Sequence, residues 1–202
     1  IRLNMTAGRE SVSIQKSWCT PEPLVSKIHS FFNDKLELDP CSNPYSLIKA
    51  GKKFTLPKID GLKQEWKYKS IFVNPPYGND KERKTTIKNW LAKCYFSNNK
   101  FASEVLALIP VATNTSHWKE FIYGEAKSIC FLYDTRLKFN INGKLDTKGA
   151  PMSCCLIYWG KNFSKFDKIF STSGAVIDIS NLSNKEIIGG YKKNNKNLVF
   201  DI

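Results

Sequence analysis

Apolar positions along this chain follow two periods in alternation. Residues 1–17 are polar, show no clear period, and are expected to form a tail. Leu24, Ile28, Phe31 and Phe32 then recur at helical spacing, predicting a helix to about Asn33. Trp18-Cys19-Thr20-Pro21 opens it: Thr20 suits the N-cap, Pro21 the first helical position and Glu22 the first turn. Leu36 to Asp39 is a short strand candidate, residues 42–65 are rich in turn formers, and Ile71 to Val73 is the next strand. From Thr86 to Phe96 a helix is predicted, with Ile87, Trp90, Leu91, Cys94 and Tyr95 on one face. Val105 to Ile109 predicts a strand stopped by Pro110, Ser116 to Tyr123 a helix and Ser128 to Leu132 a strand. Arg136 to Ile141 alternates, Asn142-Gly143 is a turn signal, and Cys154 to Trp159 is a last apolar strand. Beyond Ser164 the pattern weakens. Ala175 to Ile179 is a further strand candidate, and Lys192 to Asn197 a basic exposed turn.

Strands alternating with helices predict an α/β sandwich on a mainly parallel sheet, with antiparallel edge strands around Asn142-Gly143. The length of 202 residues fits one domain. The expected division is a tail over 1–16, a main domain over 17–163 and an extension of the same domain over 164–202. Composition adds a partner class: 31 Lys+Arg against 18 Asp+Glu leave a net charge of +13, which favours a polyanion through counterion release. No apolar run reaches membrane-spanning length, and no basic-then-apolar signal segment opens the chain, so no membrane partner and a cytoplasmic location are expected. The six cysteines include no C-x-x-C pair and only two histidines accompany them, so no metal site is expected; the cysteines read as buried free thiols.

The candidate chemistry sits at Asn74-Pro75-Pro76-Tyr77, directly after the apolar run Ile71-Phe72-Val73. Proline cannot donate to a sheet ladder, so the strand must end there. The two prolines stiffen the turn and pin the Asn74 side chain and the Pro75 carbonyl. Two fixed acceptors beside an aromatic face suit a planar substrate with an NH2 group, adenine or an amide.

The tetrapeptide resembles the catalytic motif of the amino-methyltransferases. In chain order, Trp18-x-Thr20-Pro21, Leu38-Asp39-Pro40-Cys41, Asp60-Gly61-Leu62 with Trp66, the tetrapeptide itself, Leu108-Ile109-Pro110 with Thr113-x-Thr115, and Arg136-Leu137-x-Phe139 together resemble the small phage-type DNA N6-adenine methyltransferases (Dam-type) over roughly residues 17–160. The resemblance implies a Rossmann-like methyltransferase sandwich, S-adenosylmethionine as cofactor, and double-stranded DNA with its target adenine flipped out as substrate. It assigns catalysis to Asn74, Pro75, Pro76 and Tyr77, and the cofactor to Trp18, Thr20, Pro21, Asp39, Pro40 and Asp60. Arg136 and Phe139 fall to the substrate. One departure stands out: the loop Asp39-Pro40-Cys41-Ser42-Asn43-Pro44 lacks the family's usual glycines. An RNA adenine or protein-glutamine methyltransferase, or a non-catalytic nucleic-acid-binding protein on the same fold, remain open alternatives.

Overall fold

The computed structural model describes residues 18–134, 137–142, 144–145 and 152–182. In chain order the elements are β1 (Trp18–Cys19), α1 (Glu22–Phe31), β2 (Leu38–Asp39), β3 (Lys52–Lys53), a 3-10 turn (Gly61–Lys63), β4 (Ser70–Val73), α2 (Ile87–Phe101) and β5 (Glu104–Pro110). Then come α3 (Ser116–Phe121), β6 (Ser128–Leu132), β7 (Asn140–Ile141), β8 (Lys144–Leu145), β9 (Cys154–Trp159), α4 (Phe163–Phe170) and β10 (Gly174–Asp178).

Seven strands form a mixed sheet in the order β10-β6-β9-β5-β4-β2-β3. β3, β2, β4 and β5 pair in parallel. β9 runs antiparallel to both β5 and β6, so β6 shares the direction of β5; β10 is antiparallel to β6. An antiparallel edge was expected, and β10 is one. The strand Cys154–Trp159, however, lies inside the sheet between β5 and β6. Its six residues are all buried, as a strand covered on both faces requires.

Successive side chains feed two cores. Ile71, Val73, Val105, Ala107, Ile109, Ile157 and Trp159 face Trp90, Leu91 and Cys94 of α2 and Trp118 of α3. Phe72, Leu106, Leu108, Leu156 and Tyr158 face Leu24, Ile28 and Phe31 of α1 and Phe166 and Phe170 of α4. Each buried Val, Leu, Ile or Phe among them contributes about 1.5–3 kcal/mol.

Helix ends follow local chemistry. At α2 the Thr86 hydroxyl accepts from the Lys88 N–H (3.2 Å) and the Asn89 carboxamide accepts from the Thr86 N–H (2.9 Å). α1 is closed by Asn33 and Asp34 at φ of 52° and 56°, the left-handed region these two residue types tolerate. Its start differs from expectation. Pro21 is the cap and no side chain bonds the first turn, because the Thr20 side chain turns inward and is engaged elsewhere.

A second sheet, β1-β7-β8, is small and antiparallel. Trp18 pairs with Ile141 and Cys19 with Asn140, and Asn142 at φ 50° turns the β7–β8 hairpin. Of the alternating segment, Asn140–Ile141 thus belong here and not to the main sheet. No helix among the described residues is long and apolar enough to cross a membrane.

Candidate active site

The carboxyl ends of β2, β4, β5 and β6 open on one edge of the main sheet, the edge where open α/β sheets bind ligands. β9 starts there too, since Cys154 pairs with Pro110 at the end of β5. The tetrapeptide leaves β4 at this edge. Pro75 is buried, Pro76 exposed, and Asn74 and Tyr77 half-buried.

The Asn74 amide has a defined polarity. Its Nδ2 donates to the Trp18 carbonyl at 3.0 Å and to the Thr20 hydroxyl at 3.4 Å. The Oδ1 and the neighbouring Pro75 carbonyl accept no hydrogen bond among the described residues. Thr20 is therefore a partner of Asn74 in place of the expected helix cap. The signal was out of reach locally, because 54 residues separate the two.

Tyr77 stands in an aromatic cluster. Its ring meets Trp18 edge-on at 6.2 Å and Phe139 edge-on at 6.0 Å, and Trp18 and Phe139 lie 5.4 Å apart. Phe139 is 1% exposed, so it backs Tyr77 from within the core rather than presenting an open face. The Tyr77 hydroxyl donates to the Leu108 carbonyl at 3.3 Å. Burial, followed by the nearby Cys154 thiol, raises its pKa well above the ordinary phenol, so it stays protonated. The predicted Arg136 lies outside the described residues.

Asp39 closes β2 and is 4% exposed. Burial lifts its pKa to about 6, against the lowering effects of the Ser42 hydroxyl, the Cys41 N–H, Lys53 and the Ser46 hydroxyl. The Cys41 N–H donates to its Oδ1 at 3.3 Å. It has no salt bridge among the described residues, so at neutral pH a largely ionised carboxylate is buried without a contacting cation. It lines a cavity of about 20 Å³ together with Trp18, Thr20, Cys41, Asn43 and Asn74.

The glycine-free loop is held by other means. Asn43 Oδ1 accepts from the Tyr45 N–H (2.9 Å) and from the Cys19 thiol (3.2 Å), an Asx turn that ties the loop to β1. Asn43 and Cys19 were not among the sequence candidates, although Asn43-Pro44 carries a turn signature. The close backbone approach instead occurs at Gly61, where a Cβ would lie 1.8 Å from the Pro40 carbonyl oxygen. Pro40 and the Asp60-Gly61 turn are thereby in contact.

Asp60 is committed within the protein. Its Oδ1 accepts from the Leu62 N–H at 3.0 Å and pairs with Arg83 at 3.1 Å. Arg83 also binds Asp80 through its Nε (2.8 Å) and its backbone N–H (2.9 Å), which folds the loop after Tyr77 onto Asp60. Lys81 and Lys84 remain exposed on that loop. Trp66 is core, its indole N–H bonded to the Gly61 carbonyl at 2.8 Å. Among the described residues no group of three or more His, Cys, Asp or Glu is placed to hold a metal ion.

The structure thus gathers Trp18, Thr20, Asp39, Asn74, Tyr77 and Phe139 at one edge, with Asp60 joined through the Gly61–Pro40 contact. A DNA N-6-adenine-methyltransferase of Haemophilus phage HP1 (strain HP1c1) is 24% identical over 135 residues, covering 67% of this chain and 72% of the phage protein. No solved structure matches. The family of DNA N-6-adenine-methyltransferases (Dam) matches over residues 9–185, past the end of β10 and beyond the reach of the sequence motifs. With most of its length matched, the chain belongs to the DNA N-6-adenine-methyltransferase (Dam) family.

Proposed function

We propose that this protein transfers a methyl group from S-adenosylmethionine to the N6 amino group of adenine in DNA, by direct attack, on the Rossmann-like sheet described above. The observation that carries the reading is the polarity of the Asn74 amide. With its NH2 turned to Trp18 and Thr20, its Oδ1 is left without a hydrogen bond among the described residues, as is the carbonyl of the adjacent Pro75.

The adenine amino nitrogen is a weak nucleophile because its lone pair is delocalised into the ring. Two acceptors on its N–H bonds draw it toward tetrahedral geometry and offset the positive charge that grows on nitrogen, an arrangement set before reaction. Inside a duplex this nitrogen is out of reach, so the base is flipped out and stacks on Tyr77, which offsets part of the unstacking cost. The buried Tyr77 phenol acts through its ring and its bond to Leu108, not as an acid. Arg136 is assigned to a DNA phosphate, and Phe139 supports the Tyr77 ring from behind.

The residues on the β2 side fit the cofactor. When bound, S-adenosylmethionine supplies an electrophilic methyl on a sulfonium. A buried carboxylate without a contacting cation suits its amino-acid ammonium, and this role falls to Asp39. Thr20 and Pro21 lead into the first turn of α1, where the Glu22 N–H is the one left for a carboxylate among the described residues, since Pro23 has none and Leu24 and Val25 donate to the Pro21 carbonyl. Trp18 and Pro40 form walls. Asp60, bound to Arg83, reaches the ribose side only through its second oxygen or by exchanging partners.

The test is methyl incorporation from labelled cofactor into DNA, RNA and protein side by side, with the modified base mapped. N6-methyladenine in DNA is the expected product. Incorporation into RNA or protein alone would replace the substrate assignment, and no cofactor binding in calorimetry would replace catalysis with plain nucleic-acid binding.

A further inference from the structure

Asn74 is held by a backbone carbonyl from a strand of only two residues, and that strand is paired to a hairpin far along the chain. A carbonyl can only accept. Facing the Asn74 side chain at 3.0 Å, it fixes which end of the amide points inward. A carboxylate in the same place would set acceptor against acceptor, whereas a protonated carboxyl would donate its O–H to the carbonyl and keep its C=O outward.

We infer that the Trp18 carbonyl is a positioning group for the reaction: it sets the acceptor polarity of residue 74 and makes that position selective for a neutral donor–acceptor side chain over a carboxylate. β1 is held in place by β7, Trp18 against Ile141 and Cys19 against Asn140, and by the packing of Trp18 on Phe139. The hairpin β7–β8 thereby supports the acceptor amide indirectly, through β1. The inference rests on the proposed role of Asn74, which it deepens.

Asn74→Asp tests it through pH. The ionisable groups around residue 74 are Asp39 at the end of β2, Cys41 in the following loop, Cys19 on β1, and Tyr77 with Cys154 behind it. Asp39 ionises in the same range and is present in both proteins, so the quantity to read is the ratio of variant to wild-type turnover at each pH. The nearby Asp39 carboxylate and the Trp18 carbonyl both favour the protonated form of an aspartate at 74.

Between pH 8 and pH 6 the ratio is expected to climb about tenfold for each unit of pH lowered, as the protonated fraction grows, from a value at pH 8 about 100-fold or more below one. Cofactor affinity should stay within about twofold of wild type. A ratio that is flat, or that rises with pH, overturns the inference.

A second measurement needs only the wild-type protein. In the full chain labelled with ¹⁵N-asparagine, the Asn74 side-chain amide should show slowed proton exchange, with the proton on the Trp18 carbonyl the more downfield. If both protons exchange at the rate of a free carboxamide, the inference fails even if Asn74→Asp does not fold. Absence of DNA methylation by the wild type would sink the functional reading and leave the amide measurement to decide this point.

Discussion

Two loops leave neighbouring strands on the same edge of the main sheet, one after β4 at Asn74 and one after β2 at Asp39, and they are held in different ways. β4 is a four-residue strand paired along its whole length with β5. β2 has two residues and meets β4 at the single pair Leu38 and Ile71. After β4 the chain carries a neutral amide, braced by a carbonyl and stiffened by two prolines. After β2 it carries a buried carboxylate and a loop pinned by Asn43, Cys19 and the Gly61–Pro40 contact. A neutral group with a satisfied donor can wait in place at little cost, while a buried charge without a contacting cation destabilises the free protein until a ligand compensates it. The acceptor side is built for rigidity, and the proposed donor side holds unspent electrostatic energy.

This contrast can be broken most severely at Asn74. Asn74→Ala should lower turnover by about 10²–10³-fold, the scale for losing one preorganised polar group, while calorimetry shows cofactor affinity nearly unchanged. Equal losses of turnover and cofactor affinity would mean that the two loops are one functional unit. Gly61→Ala attacks the other side. Its Cβ would overlap the Pro40 backbone, so either loop must shift, and denaturant melts should show about 1–3 kcal/mol of destabilisation with weaker cofactor binding.

Asp39→Asn separates stability from function. The folded pKa of about 6 lies above the ordinary 3.8, so the stability linked to this group is fully present below about pH 4 and is lost as pH rises through about 6. At 1.36 kcal/mol per unit the loss is on the order of 3 kcal/mol at most. Urea melts of the variant should therefore gain on wild type from pH 4 to pH 8, while cofactor affinity at pH 8 falls. A difference independent of pH would remove the buried-charge account. The smallest effect belongs to Tyr77→Phe. It loses one hydrogen bond to Leu108, about 0.5–1.5 kcal/mol in thermal melts, and should retain most methylation activity because the ring is kept.

Much of the main sheet was legible because its strands are continuous apolar runs: Ile71–Val73, Val105–Ile109, Ser128–Leu132 and Cys154–Trp159 all appear within a residue or two of expectation. Elements defined by pairing rather than by pattern were not. β3 is two exposed lysines that count as a strand only through β2. β1 exists only against β7, more than 120 residues on. α4 escaped because its eight residues offer few repeats, yet Phe166 and Phe170 are wholly buried. The candidate site divides in the same way. Asn74 and Tyr77 announced themselves by an odd strand ending, whereas Thr20 read as a cap because nothing nearby in the chain shows that its hydroxyl meets Asn74. The pairing of Asp60 with Arg83, 23 residues on, likewise had no local sign.

The reversed direction of β9 has a further consequence. The chain leaves the sheet at Leu132 and re-enters at Cys154 on the same edge, and both strands are locked in register against each other. Everything between them, the β7–β8 hairpin included, is an insertion with fixed anchors. Within it Leu137 and Phe139 are buried and β7 pairs with β1, so the segment is tied to the core as well as to its two anchors. The amide of Asn74 is thus braced, through the Trp18 carbonyl and β1, by a segment whose two ends are set by the main sheet.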